Sequence, residues 1–223
     1  MIIMSCRYSD IERFYPRFLT DDGAVDADSE VFAKLFNEKI GSKILEIGAN
    51  QEPLSIALGN IGYDVTAIDL NPYNVKSFYD RKFKFIQGDI LIINNLISSS
   101  FDSVFCISTI EHIGLGVYGE GNVRPNGDVD AMKKIHSLLR LNGKCYVSFP
   151  VGVWEIDLRG WRVYDRARIF ERIMLNGLFK ICSLTYVAAD LFNGHYRGEL
   201  ISETEAFSPH GPDASCLLVL EKV

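Results

Sequence analysis

Residues 43–58 have the sequence Lys43-Ile44-Leu45-Glu46-Ile47-Gly48-Ala49-Asn50-Gln51-Glu52-Pro53-Leu54-Ser55-Ile56-Ala57-Leu58 and predict a strand, a tight turn and a helix in succession. The apolar run stops at Gly48, and glycine allows a backbone turn that other residues adopt less easily. Pro53 lies in the first turn of the predicted helix, where its missing N–H costs nothing. A strand followed at once by a helix is typical of proteins built on a parallel sheet.

The same alternation of short apolar runs and helical patterns continues along the chain. It predicts an α/β fold in which a seven-stranded, mostly parallel sheet carries helices on both faces. The last two strands enclose no convincing helix, so we expect them to form an antiparallel C-terminal pair. Asn142-Gly143 is expected to end one helix, and Asp165 is a plausible N-cap for another. The further predicted strands are 64–69, 83–86, 102–107, 144–149, 179–187 and 216–221, and the further predicted helices are 29–38, 129–141 and 165–175.

Composition limits the kinds of partner. The 23 basic residues are outnumbered by 29 acidic ones, a net charge of −6 that argues against duplex DNA or an anionic membrane as the partner. No apolar run approaches the ~20 residues of a membrane-spanning helix, and the first four residues are too few for a signal-peptide core. The oligomeric state stays open.

The cysteines and histidines form no recognisable motif. The five cysteines are odd in number and lack any C-x-x-C spacing, which favours neither a disulfide framework nor a zinc site. Four of them lie in predicted strands, where a free thiol behaves as a small hydrophobe, so we expect a reducing, cytoplasmic setting. The four histidines match no zinc-ligand spacing, and no metal is expected.

The ends of the first three strands carry the informative residues. Gly48 would allow backbone N–H groups to approach a ligand closely, and a following helix N-terminus favours negative charge. Asp69 ends the second strand, where a carboxylate can accept both hydroxyls of a ribose. Asp89 ends the third strand, where it can meet the amine of an adenine. Each residue alone more often marks a turn or a solvated strand end, but the joint pattern favours an adenosine-type cofactor.

The segments Leu45 to Ala49, Val65 to Asp69, Gly88-Asp89 and Ile107 to His112 together resemble class I S-adenosylmethionine-dependent methyltransferases. The likeness extends over roughly Ser42 to Val187, with order and spacing kept. The stretch from Glu111 to Gly119 is similar to a little-characterised branch of that superfamily. The resemblance implies a Rossmann-like sheet with a reversed last strand, which agrees with the predicted antiparallel pair.

The resemblance also implies a cofactor, S-adenosyl-L-methionine, and a set of residues that hold it. The first loop would surround the methionine end of the cofactor, Asp69 the ribose, and Asp89 the adenine, while Ser108 would lie under the sulfonium. The implied cofactor-binding residues are Glu46, Gly48, Ala49, Asn50, Asp69, Leu70, Asp89, Ile90 and Ser108.

The first loop departs from the family pattern, because it has one glycine where members usually have two or three. Asn50 tolerates the left-handed backbone conformation better than most residues and could replace one of them. The departure counts more heavily against an NAD-dependent oxidoreductase than against a methyltransferase, since a pyrophosphate needs an open Gly-rich turn. It also leaves open a non-catalytic relative that keeps the fold as a binding or regulatory module.

His112, directly after the fourth strand, is the best-placed candidate for a general base, with Glu111 beside it. The alternative is that His112 braces the loop. The four strand-end segments taken together predict methylation, at oxygen, of a small-molecule or carbohydrate-like acceptor.

Three other segments could shape the site. Residues 115–130 are a lid or a surface loop. Residues 154–168 mix Trp and Arg and either bind a sugar or phosphate-bearing acceptor or connect two core elements. Residues 7–17 could close over the cofactor or pack on the sheet. We expect one methyltransferase-like domain over 1–223, with an N-terminal helical segment at 1–41, a cofactor-binding core at 42–187 and an insertion between the last two strands at 190–214.

Overall fold

The computed structural model describes residues 27–49, 54–72, 83–157, 160–190, 195–210 and 213–223. Asn50 and the segment 7–17 lie outside the described residues. The strands are β1 (Lys43–Ile47), β2 (Asp64–Asp69), β3 (Phe83–Gln87), β4 (Phe101–Cys106), β5 (Leu139–Val151), β6 (Glu155–Asp157), β7 (Trp161–Val163), β8 (Phe179–Asp190), β9 (His195–Ile201) and β10 (Ala214–Lys222). The α-helices are α1 (Ala27–Leu35), α2 (Leu54–Ile61), α3 (Gly127–Leu138), α4 (Arg166–Arg168) and α5 (Glu203–Ala206). None of these helices is both long enough and apolar enough to cross a membrane.

The predicted α/β class is confirmed. Within the described residues eight strands form one sheet in the order β3-β2-β1-β4-β5-β10-β8-β9, and β6 and β7 form a separate hairpin. The first five strands of that order are parallel to one another. The predicted antiparallel pairing of the last two strands is confirmed, because β10 pairs with β8 in that sense. The sheet has eight strands rather than seven, since β9 adds an edge strand beside β8.

Alternate residues of the central strands bury opposite faces of the sheet, as strand geometry requires. On one face Phe36 packs against Phe105 and Tyr146, whose rings stack with centroids 4.6 Å apart. On the other face Met132 and Ile135 of α3 pack in the core cluster that covers the sheet. The sheet is therefore covered on both sides, and this packing fixes the positions of the strand ends.

The boundary between α3 and β5 differs from the sequence prediction. The helix ends at Leu138, and Asn142-Gly143 lies inside β5 instead of capping the helix. Asn142 has a left-handed φ of 62°, and the pairing of β5 with β4 shifts register nearby. The Asn-Gly pair therefore turns the chain within a strand. Leu141, the last residue of the predicted helix, lies in β5 instead and is 65% exposed.

The segment after β7 is only partly the predicted helix. Asp165 is confirmed as an N-cap, because its side chain accepts a hydrogen bond of 2.8 Å from the backbone N–H of Arg168. The α-helix lasts for three residues and continues as a π-helical turn over Ile169–Ile173. Asn176 and Gly177 then end it with positive φ angles of 56° and 94°.

A buried charge network joins α3, β7 and the π-helical turn. Asp128 is fully buried, and Arg172 donates to both of its carboxylate oxygens, at 2.8 and 2.6 Å. Tyr164 donates a third hydrogen bond of 3.0 Å to the same carboxylate. The Nε of Arg162, which is also fully buried, lies 3.7 Å from it. Buried charges are tolerated only when they are paired in this way.

Arg162 also ties down the loop that precedes α3. Its guanidinium donates to the carbonyls of Glu111 and Ile113 at 3.1 and 2.9 Å, and to that of Pro125 at 3.3 Å. Its backbone N–H donates to the Glu111 carbonyl as well, at 3.1 Å. Arg162 therefore acts inside the protein, which favours the interpretation of residues 154–168 as a connector.

We predict that Asp128→Asn destabilises the fold by about 3–5 kcal/mol, because it leaves the buried Arg162 without its countercharge. Urea denaturation followed by circular dichroism measures the loss. The matched control is Asp130→Asn in the same helix, whose exposed ion pair with Lys133 predicts a change within about 0.5 kcal/mol. Equal losses in the two variants would contradict a structural role for the Asp128 network.

Candidate functional site

A cavity of about 250 Å³ opens at the carboxyl ends of β1, β2, β3 and β4. It is slightly smaller than the roughly 300–1,000 Å³ of typical small-molecule sites. It lies where the strand order reverses around β1, which is the usual ligand position in open α/β sheets. Its lining is Ile47, Gly48, Ile68, Asp69, Leu70, Asn71, Gly88, Asp89, Ile90, Ile107, Ser108, Thr109, His112, Ile113, Tyr118 and Glu120.

The loop after β1 lies tightly against its neighbours. Gly48 has a φ of 82°, a conformation that favours glycine. Its amide and that of Ala49 both donate to the Ile68 carbonyl, at 2.8 and 3.3 Å, so both are used within the protein. The Thr109 side chain occupies the space that a Cβ on Gly48 would need. Because Gly48 has no side chain, the loops after β1 and β4 can pack directly against each other beside the cavity.

Two carboxylates stand at adjacent strand ends, each oriented by a local turn. Asp69 accepts a hydrogen bond of 2.8 Å from the N–H of Asn71, and Asp89 accepts one of 2.8 Å from that of Leu91. The Gly88 amide donates to the Asp69 carbonyl at 2.8 Å, which keeps the two strand ends side by side. Both carboxylates line the same cavity.

Ser108 turns the chain at the end of β4 toward the cavity. Its φ of 41° is uncommon for a residue other than glycine, and such conformations concentrate at functional sites. Its N–H donates to the Ser148 hydroxyl at 3.0 Å. Its hydroxyl lies 3.4 Å from a carboxylate oxygen of Asp28, which is fully buried on α1.

His112 lines the cavity as a neutral ring of defined tautomer. Its Nδ1 lies 2.8 Å from the Gly160 carbonyl, which can only accept, so Nδ1 carries the proton and Nε2 the lone pair. Burial lowers the pKa of His112 below its ordinary value of 6.5, and Arg162 acts in the same direction, against the Gly160 hydrogen bond and the charge of Glu120. At neutral pH the ring is therefore uncharged and can accept a proton.

Glu111 lies buried beside His112, with one carboxylate oxygen 3.9 Å from its Nε2. The side chain does not line the cavity, and its Oε2 has no hydrogen-bond partner among the described residues. Burial raises the pKa of Glu111 from 4.5 to about 8; its own backbone N–H opposes the rise, and the buried carboxyl of Asp28 adds to it. Glu111 is therefore mostly protonated at neutral pH.

Residues 114–127 form a loop whose two ends are fastened together. The Arg124 amide donates to the Gly114 carbonyl at 2.7 Å, and the Gly127 amide donates to the Arg124 carbonyl at 2.8 Å. The loop carries Tyr118 to the cavity, where its ring meets that of His112 edge-to-face with centroids 5.2 Å apart. The loop thus forms one wall of the site.

The cavity brings most of the expected site residues together. Those that line it are Gly48, Asp69, Leu70, Asp89, Ile90, Ser108 and His112. Glu46, Ala49 and Glu111 are buried and do not line it.

The lining residues that sequence reasoning did not assign to the site are Ile47, Ile68, Asn71, Gly88, Ile107, Thr109, Ile113, Tyr118 and Glu120. The available signal for the last two was the glycine-rich loop that contains them. Among the described residues no three His, Cys, Asp or Glu side chains converge as metal ligands.

The strand order and the position of the cavity are those of the class I, Rossmann-like fold of S-adenosylmethionine-dependent methyltransferases. One similar structure is a TehB-like SAM-dependent methyltransferase from Corynebacterium glutamicum, with 15% identity, 97% of this chain and 98% of that chain covered, and a TM-score of 0.56. Another is the 1,6-didemethyltoxoflavin-N1-methyltransferase of Burkholderia thailandensis, with bound 1,6-didemethyltoxoflavin and S-adenosylhomocysteine, at 16% identity, 97% and 87% coverage and a TM-score of 0.57. The [4+2]-cyclase SpnF has the same fold, at 15% identity, 82% and 75% coverage and a TM-score of 0.55.

The chain belongs to the family described as "Caenorhabditis protein of unknown function, DUF268", whose model matches residues 45–197. That range contains all the residues that line the cavity. No protein of curated function matches the sequence.

We predict that Glu111→Gln removes a pH dependence from the stability of the fold. The folded-state pKa of about 8 lies above the ordinary 4.5, so Glu111 contributes stability that is complete below the lower value and is lost as pH rises through the higher one. The free energy of unfolding of the wild type should therefore fall by a few kcal/mol relative to Glu111→Gln between about pH 5 and about pH 9.

Urea denaturation at several pH values measures this difference. Glu155→Gln, at an exposed position in β6, is the control and should follow the wild-type curve. If the curves of the wild type and Glu111→Gln run parallel over the whole range, the buried carboxyl is ionised without cost and the prediction is wrong.

Proposed function

We propose that this protein is an S-adenosylmethionine-dependent methyltransferase that acts on a hydroxyl group of a small-molecule or carbohydrate-like acceptor. One observation carries the proposal: a single cavity has two oriented carboxylates, Asp69 and Asp89, at one end and the neutral His112 at the other. The fold similarity supports the choice of methyl transfer over other chemistry, and the residues of the cavity support the assignment of its two ends.

The described residues fit the cofactor. Asp69 can accept hydrogen bonds from ribose hydroxyls, and Asp89 from an adenine amine, because each carboxylate is already oriented by a local turn. Ile68 and Ile90 offer apolar walls for the flat base. Gly48 and Ser108, together with the neighbouring Ala49, Asn50 and Glu46, would surround the methionine end. S-adenosyl-L-methionine, when bound, supplies a methyl group activated by its sulfonium.

His112 is proposed as the general base for the acceptor hydroxyl. Nε2 holds the lone pair of the neutral ring and can take the hydroxyl proton. The resulting imidazolium keeps its Nδ1–H hydrogen bond to the Gly160 carbonyl, which stabilises the charged form. Glu111 would act as a positioning residue beside His112, with its buried carboxyl 3.9 Å from Nε2. General-base help of this kind contributes about 10²–10⁴ in rate.

We predict that Asp69→Ala weakens the binding of S-adenosylhomocysteine by about 10- to 100-fold, because it removes charge-assisted hydrogen bonds. Isothermal titration calorimetry measures the dissociation constant. The control is Asp64→Ala, at the exposed opposite end of the same strand, which should bind as the wild type does. An absence of both heat and thermal shift with millimolar ligand on the wild type would overturn the proposed function.

We predict that His112→Gln lowers kcat by about 10²–10⁴ with any acceptor found in a panel of hydroxyl compounds, and leaves the affinity for S-adenosylhomocysteine within about twofold. The pH profile gives a second readout. Because the pKa of His112 lies below 6.5, the wild-type rate should be lost only as pH falls below that value. An acidic limb centred above 6.5, or an unchanged kcat in the variant, would assign His112 to bracing the loop.

A second candidate is a non-catalytic protein that keeps the methyltransferase fold as a binding or regulatory module. Two observations favour it: the amides of Gly48 and Ala49, at the start of the first loop, are engaged with Ile68, and a [4+2]-cyclase shares the fold, which therefore does not require methyl transfer. Binding of S-adenosylhomocysteine without turnover of any acceptor in the panel would support this candidate.

A further inference from the structure

The wall of the cavity nearest His112 contains a carboxylate to which the proposed chemistry gives no role. Glu120 lines the cavity, is half-buried, and accepts a hydrogen bond of 2.9 Å from the Tyr118 N–H through Oε2. This bond orients the carboxylate, because the donor belongs to the same fastened loop. The described residues offer no hydrogen-bond donor to Oε1, the second oxygen of Glu120.

Glu120 acts electrostatically on the His112 end of the site. Its charge raises the pKa of His112, against the larger effect of burial, and also contributes to raising that of Tyr118. Glu120 is therefore close to both rings, and all three side chains line the same cavity. The carboxylates of Asp69 and Asp89 are at the cofactor end; Asp69 adds to the raised pKa of Tyr118, and neither is among the charges that shift the pKa of His112.

No described cation compensates Glu120 within the cavity. Of the described residues that line it, none is Lys or Arg. His112 is uncharged at neutral pH, because burial lowers its pKa. The guanidinium of Arg162 lies nearby but is fully buried and directed at the carbonyls of Glu111 and Ile113. The described part of the acceptor end therefore has a net negative charge.

We propose that Glu120 selects acceptors that carry an ammonium group beside the hydroxyl to be methylated, such as an amino sugar, and rejects carboxylates and phosphates. This inference rests on the proposed function, since it assumes that the acceptor lies at the His112 end. An ammonium forms a charge-assisted hydrogen bond with the oriented carboxylate, which is roughly twice as strong as a neutral one. An anionic group there would face repulsion from Glu120 with no described cation to offset it.

Three sugars of the same ring and different charge test the selection: methyl glucosaminide, methyl glucoside and methyl glucuronide. Their affinities are measured by ligand-observed NMR on the whole protein, both free and saturated with S-adenosylhomocysteine. The expected order is cation, neutral, anion, with about tenfold between the first two. Raising the salt to about 0.5 M should reduce that preference, because the carboxylate is only half-buried.

Glu120→Gln should remove the preference for the cation and leave the neutral sugar unaffected. The control is Glu199→Gln, an exposed position on the edge strand β9, which should keep the wild-type order. Equal binding of the three sugars, no binding of the glucosaminide, or a preference that survives in Glu120→Gln would overturn the inference. The titration with S-adenosylhomocysteine is separate, so a failed inference and a failed proposed function are told apart.

Discussion

The contact between Asp128 and Arg162 is the one on which the geometry of the site depends. The carboxylate opens α3, the guanidinium comes from β7, and both are fully buried. Such a pair is a weak source of net stability, because its desolvation cost is large, but it permits few alternative arrangements. Arg162 also donates hydrogen bonds to the carbonyls of Glu111 and Ile113, the residues on either side of His112. The position of His112 thus follows from a pairing between segments that are distant in sequence.

The two ends of the cavity are held by different means. Asp69 and Asp89 are oriented by hydrogen bonds to residues two positions further along the chain, so their placement needs only the strand ends and a short turn. His112 is held by Gly160, 48 positions away. One end therefore keeps its shape wherever the parallel strands form, whereas the other requires the complete packing of loop, hairpin and helix.

This difference explains how much could be predicted from the sequence. Asp69 and Asp89 follow apolar runs, and local patterns predict both the strands and the acids at their ends. The role of Arg162 was missed, because a residue type that is mostly exposed gives no sign in the sequence that it will be buried against Asp128. Asn142-Gly143 was assigned to the wrong element, since the same pair ends helices and bends strands, and only the pairing with β4 decides. Glu120 escaped notice because its position depends on how the loop closes.

The place of β10 has a consequence for biosynthesis. It is the last of the described strands to leave the ribosome, yet it lies in the interior of the sheet between β5 and β8. Until it is made, β8 and β9 have no neighbour through which to join the parallel strands, and the edge of β5 stays unpaired. Exposed strand edges promote association between chains. An open edge on β5 therefore persists until β10 is inserted, and association between chains is favoured during that interval.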